Sequence, residues 1–222
     1  MSMQSIHLRK LLKIMYLDGP ARVSALRADI RDDISRERDD REGSGGDFYG
    51  PFWRDAKDHV FGASDLREQT RLRIARNNRR RNLYEQLRDG FLLWWDERRR
   101  WTNEPFQRAG SIRTVKRLDG VDADIKFANV LAVRDGNDEE HFVYPYWFAR
   151  PPLNNESARL GLWALCEAFP HINRGELRLL DVIRGQTYSL DRNPLRGDEA
   201  ALFQRRFLLA LNQWTQLRRE YD

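Results

Sequence analysis

Hydrophobic positions recur at helical spacing in the front half of the chain and alternate in its middle. Leu8, Leu11, Leu12 and Met15 form one stripe within residues 5–16, Asp18-Gly19-Pro20 interrupts it, and Val23, Leu26, Ile30 and Ile34 form a second. Two short helices about a glycine-containing turn have the outline of a helix-turn-helix. The segment that would read DNA, Arg31 to Asp40, carries at least as many acids as bases and would repel phosphate, so the plainer expectation is a helical hairpin packed on its neighbours. Arg36 to Gly46 is all charge, Gly and Ser and predicts an exposed linker. The next stretch, Asp47-Phe48-Tyr49-Gly50-Pro51-Phe52-Trp53, is punctuated by Gly and Pro and reads as irregular structure. Its aromatics are too much apolar surface to leave in water, so they plug into the core or form a binding patch.

Helices are predicted from Ser64 or Asp65 to Asn77 and from Asn82 to Trp101. In the second, Leu83, Leu87, Phe91 and Trp94 make the core face, widened by Tyr84 and Trp95. From Gly110 the period changes to two. Ser111 to Leu118, Val121 to Arg134 and His141 to Phe148 read as strands, with a hairpin loop over Arg134 to Asp138. Pro145 implies that the third is bulged, an edge, or ends early. A helix capped by Asn154 or Asn155 runs to Pro170, a second hairpin joins Glu176–Ile183 to Gln186–Leu190, and an amphipathic helix spans Gly197 to Tyr221. The expected fold is α+β: a helical N-terminal half, then a small sheet of about five strands covered by two helices. The expected units are a helical hairpin (1–40), a linker with an aromatic docking segment (41–62) and an α+β domain (63–222).

Charge adds a direction. The chain has 222 residues and a formal net charge of +5, and residues 66–101 hold eleven arginines against five acids. Arg outnumbers Lys among the basic residues by 34 to 5, which favours bidentate and stacked contacts with phosphate, carboxylate or aromatic faces. Cys166 is the single cysteine, so an internal disulfide is excluded. The first residues lack the apolar run of a signal peptide and no stretch is apolar enough to span a membrane, so a cytoplasmic protein without membrane contact is expected.

Candidate chemistry is sparse. A Gly-rich phosphate loop, a paired Cys/His zinc pattern and a nucleophile elbow are all missing. Asp55 and His59 stand at the i, i+4 spacing of a metal-binding helix, without a third ligand at a fixed spacing. From Asn82 onward the element order is helix, three strands, helix, strand, with Ala158 to Leu165 as an apolar helix followed by Leu179-Leu180-Asp181-Val182-Ile183-Arg184-Gly185. This order resembles the core of the PD-(D/E)XK nuclease-like fold. The resemblance implies an acid on the second strand and an acid-x-Lys on the third, holding Mg²⁺ beside an attacking water. Asp122, Asp124 and Lys126 stand on the second candidate strand, and Asp124-Ile125-Lys126 has the acid-x-Lys spelling. The third strand carries neither acid nor lysine, so the strands would need recounting, with Asp96, Glu97 or Asp119 as the earlier acid.

The sequence therefore favours a non-enzymatic intracellular binding protein, with no metal or other cofactor. Arg71, Arg76, Arg79, Arg80 and Arg81 would contact nucleic acid or a nucleic-acid-associated complex. The alternatives are a Mg²⁺-dependent nuclease using Asp122, Asp124 and Lys126, or a structural subunit that binds an acidic protein surface.

Overall fold

A computed structural model describes residues 3–37 and 48–221. The expected linker, Arg36 to Gly46, lies outside them except for the helical backbone of its first two residues. Ser5–His7 is not helical, as expected from the stripe that follows, but a strand, β1. Helix α1 (Leu8–Tyr16) starts directly after it and α2 (Gly19–Glu37) follows a two-residue break. Asp18 accepts the Ala21 N–H at 3.0 Å and so caps the start of α2.

The aromatic segment is helical rather than irregular: α3 spans Tyr49–Val60. Pro51 falls in the first turn, where its missing N–H removes a donor that would have had no helical partner. Helix α4 (Leu66–Arg76) is capped by Asp65, whose Oδ1 accepts from Glu68 N at 2.8 Å. A 3-10 turn over Asn78–Arg80 leads into α5 (Arg81–Leu92), which widens into a π-helical turn at Leu93–Arg98. Trp101 lies beyond that turn and not on the helix, yet is buried against Trp94, Trp95 and Phe106.

The strands that follow are β2 (Gln107–Arg108), β3 (Thr114–Lys116), β4 (Asp124–Phe127), β5 (Leu131–Arg134) and β6 (Glu140–Tyr146). The single strand expected over Val121 to Arg134 is thus two. Asn129, at φ 67°, turns the chain between them, and they enter different sheets. Helix α6 (Asn155–Ala168) is capped by Asn154, which exchanges hydrogen bonds with Ser157. Strands β7 (Leu177–Asp181) and β8 (Gln186–Tyr188) form the second hairpin, and α7 (Glu199–Arg218) closes the chain. No helix among the described residues is long and apolar enough to cross a membrane.

The fold is α+β with two mixed sheets. A three-stranded sheet has the order β1-β4-β3, and a five-stranded sheet runs in chain order, β2-β5-β6-β7-β8. In the larger sheet β6 and β7 are parallel, joined by α6, and every other pair is antiparallel. Of the three strands on which the nuclease-like resemblance rests, the first, Ser111 to Leu118, holds β3 of the smaller sheet, the second divides between the two sheets, and the third is β6 of the larger one. Pro145 sits inside β6 beyond the last β5 partner, Leu131 opposite Val143, where one side of the strand has no neighbour.

Both faces of this sheet are covered, which is why β6 is buried almost continuously instead of alternating. Phe142, Tyr144, Leu177 and Leu179 face a core shared with α1, α6, α7 and the smaller sheet. Leu131, Val133, Val143 and Leu180 face a second core, rich in aromatics, shared with α3, α4, α5 and the π turn. The docking segment supplies that core: Phe52 and Trp53 are buried, edge-on to Tyr84 and Phe91, and Tyr49 stacks on Trp147 at 5.1 Å. Residues of the N-terminal hairpin, Leu8, Leu11, Leu26 and Ile30, share their core with Leu160, Phe203 and Phe207 of the C-terminal helices.

Gly90 sets how closely α5 approaches the sheet. A Cβ there would lie 2.2 Å from the backbone oxygens of Val182 and Ile183, and Gly185, at φ +57°, faces the Gly90 carbonyl from the β7–β8 turn. The π turn is thereby pressed onto that hairpin.

Candidate nucleic-acid interface

The arginines predicted as the interface lie on one continuous segment, the end of α4, the 3-10 turn and the start of α5, but their surroundings differ. Arg71 is bound by Glu68 of its own helix at 2.7 and 2.9 Å. Arg81 has Asn78 Oδ1 at 3.1 Å and Glu85 at 3.6 Å. Both side chains stay more than half exposed, so these pairs hold weakly and can exchange for a stronger anion. Arg80 lies over the rings of Phe48 and Tyr84, at 5.4 and 5.5 Å, and belongs to the docking of the aromatic segment. Arg76 and Arg79 are exposed and make no ion pair among the described residues, as is Arg67 at the start of α4. Asn77 Oδ1 accepts from Arg79 N at 3.1 Å and fixes the turn that presents Arg79.

Arg73 behaves differently. Its guanidinium grips the buried Asp55 with two nitrogens, one at 2.8 Å, and clamps α4 to α3. Asp55 is therefore committed to an arginine. His59, one turn further along the helix, has Nδ1 3.3 Å from Ser64 O and Leu66 N, bracing the turn before α4. The second arginine triplet, Arg98-Arg99-Arg100, is carried by the π turn to the β7–β8 side, where Arg98 donates to Arg184 O at 3.0 Å and Arg100 pairs with Asp191 at 2.7 Å.

Of the alternative catalytic residues, Asp124 and Lys126 sit on β4 of the three-stranded sheet and Asp122 lies just before that strand, all outside the five-stranded sheet. Asp124 and Asp122 are both drawn to Arg117, at 2.9 and 3.5 Å. Lys126 lies opposite His7 and lines an open groove with His7 and Arg113, a groove without acids. Burial, with Arg9 and Lys126 adding, holds His7 down to about 4, so it is uncharged at neutral pH.

Among the described residues one group has the composition of a metal site: Asp135, Glu139 and His141. Asp135 is already saturated, accepting from Asn137 N at 2.9 Å, Glu139 N at 3.1 Å, Asn103 at 3.3 Å and facing His141 Nε2 at 3.2 Å. Burial opposes its charge, but these hydrogen bonds outweigh it and hold the carboxyl below its ordinary range. His141 is pushed down by burial and stacks on Trp101 at 4.2 Å. The arrangement anchors the β5–β6 hairpin. The chain matches no known protein family and no curated protein sequence with which it was compared.

Proposed function

We propose that the chain is a non-enzymatic binding protein whose arginine surface at the α4–α5 junction contacts the phosphates of a nucleic acid. The observation that carries this reading is the exposure of Arg76 and Arg79 without a carboxylate partner among the described residues, between two arginines, Arg71 and Arg81, held only by weak surface pairs. A run of exposed guanidinium groups along one segment suits a backbone read by its charge and spacing. The occupation of Asp122 and Asp124 by Arg117 weighs against the nuclease reading.

A salt-titrated binding assay with duplex and single-stranded oligonucleotides tests the proposal. Binding weakens steeply with salt, and Arg76→Glu with Arg79→Glu lowers the slope of log affinity against log salt by about two. Binding that ignores salt, or that the double variant leaves intact, overturns it. Binding to an acidic protein in place of nucleic acid would move the assignment to the structural-subunit reading.

A further inference from the structure

Away from the α4–α5 edge, a cavity of about 160 Å³ opens between the π turn, the start of β7 and the β8 loop. Five arginines line it: Arg98 at the end of the π turn, Arg99 and Arg100 just after it, Arg178 from β7 and Arg192 from the loop after β8. One carboxylate, Asp191, lines it with them, and Arg100 already holds that group at 2.7 Å. Positive charge thus exceeds negative by four in a volume more than about tenfold what a water requires.

Arg98 is held by the carbonyl of Arg184 at 3.0 Å, but other polar groups there are short of partners. Arg99 lies 3.7 Å over Trp95 and 4.3 Å over Phe106, with Nε and Nη1 buried and lacking any hydrogen bond. Thr187 Oγ1, which lines the same cavity, is buried and unbonded as well. Arg178 makes one hydrogen bond, from Nη1 to Glu176 O at 2.9 Å, and no ion pair among the described residues. Buried donors in folded proteins are nearly always paired, so unpaired ones beside a single cavity call for a partner there. Burial holds Arg99 and Arg178 below the ordinary arginine range, so water screens them poorly and an anion would be felt strongly.

We propose that this cavity binds a phosphate dianion, either free or as a terminal phosphate monoester. Guanidinium forks converging from three separate chain segments fit a tetrahedral group with several oxygens better than the flat edge of one carboxylate. Thr187 supplies a hydroxyl donor beside them. Trp94 and Trp101, in the same lining, offer an apolar wall to whatever the phosphate is attached to. The site shares no residue with the α4–α5 surface and does not depend on the function proposed for it.

The test is a calorimetric titration of the full chain with inorganic phosphate, at constant ionic strength against chloride. One-to-one saturable binding is expected, weakened about tenfold or more by Arg178→Gln and by Arg192→Gln, since a charged hydrogen bond contributes about 1.5–3 kcal/mol. Arg192 is on an exposed loop, so its variant keeps the fold even where Arg178→Gln does not. A nucleoside 5′-monophosphate displaces inorganic phosphate and the bare nucleoside does not. Heat no greater than that of chloride, binding untouched by Arg192→Gln, or equal displacement by the nucleoside would each overturn the proposal. Arg79→Glu leaves phosphate binding unchanged, which separates this site from the one at the α4–α5 junction.

Discussion

The two arginine triplets of this chain are built from the same residue, one at the start of α5 and the other at the end of the π turn that follows it, yet their surroundings make them different objects. Around Arg79-Arg80-Arg81 acids from the same helices lie alongside, Arg79 and Arg81 stand in water, and Arg80 lies over Phe48 and Tyr84. Around Arg98-Arg99-Arg100 the wall is concave, arginines arrive from β7 and the β8 loop, and aromatic rings cover Arg99 while Arg98 and Arg100 stay exposed. The first arrangement suits a long polyanion met along an edge, and the second a compact anion enclosed by several donors. Local charge density is alike in both, and in both the middle arginine lies on aromatic rings; the arrival of arginines from other chain segments around one cavity separates them.

The largest way to break this contrast is Gly90→Ala. The new methyl would collide with two backbone oxygens, and backbone cannot swing aside as a side chain can. A loss of at least about 4 kcal/mol is expected in denaturant unfolding, together with loss of the wall that the π turn gives the cavity. A variant of wild-type stability would show that the contact between α5 and the β7–β8 turn is not what shapes that wall.

Trp101→Ala comes next. It removes the ring stacked on His141 and packed edge-on to three other aromatics, and should cost about 3 kcal/mol in stability. Salt-dependent nucleic-acid binding at the α4–α5 edge should persist wherever the variant is folded. A loss of that binding in a folded variant would join the two surfaces into one.

A third cationic neighbourhood, around His7, refines the comparison through pH. The folded state holds this imidazole at about 4 against an ordinary 6.5, so the unfolded chain takes up the proton first as pH falls. The stability tied to neutral His7 is complete above pH 6.5 and is lost as pH drops toward 4; His141, also pushed down, acts in the same sense. Thermal unfolding of His7→Gln across that window should fall less steeply than wild type. Parallel curves would mean that burial among Arg9 and Lys126 does not exclude the charge.

The smallest effect on stability is expected from Arg76→Glu with Arg79→Glu, within about 0.5 kcal/mol, because both side chains are exposed and unpaired among the described residues. A large loss of stability would recast these arginines as structural.

Much of the fold can be read from the chain because hydrophobic period reports burial within one element. The stripe Leu83, Leu87, Phe91 and Trp94, the Asn154 cap and the hairpin over Gly185 all appear where spacing and turn chemistry place them. What failed depended on neighbours. Val121 to Arg134 alternates as one strand would, but only the left-handed turn at Asn129 and the presence of a second sheet divide it. Gly50-Pro51 reads as a break, and becomes the first turn of a helix because Phe52 and Trp53 gain more by docking together against Tyr84 and Phe91.

The arginine-rich stretch could be named from sequence because charge density is a local property. Its division could not, since Arg73 meets Asp55 of another helix and Arg80 meets the ring of Phe48, from a segment more than thirty residues away. Arg178 and Arg192 carry no sequence signal at all, being single arginines in ordinary surroundings. Composition and periodicity determined the class of fold, the Trp-anchored core helix and the basic character of the 66–101 stretch. The tertiary structure alone decided which guanidinium groups keep water, which are spent on carboxylates, and which converge on one cavity, because the strength of a charge depends on what replaces its solvent and the fold supplies the replacement.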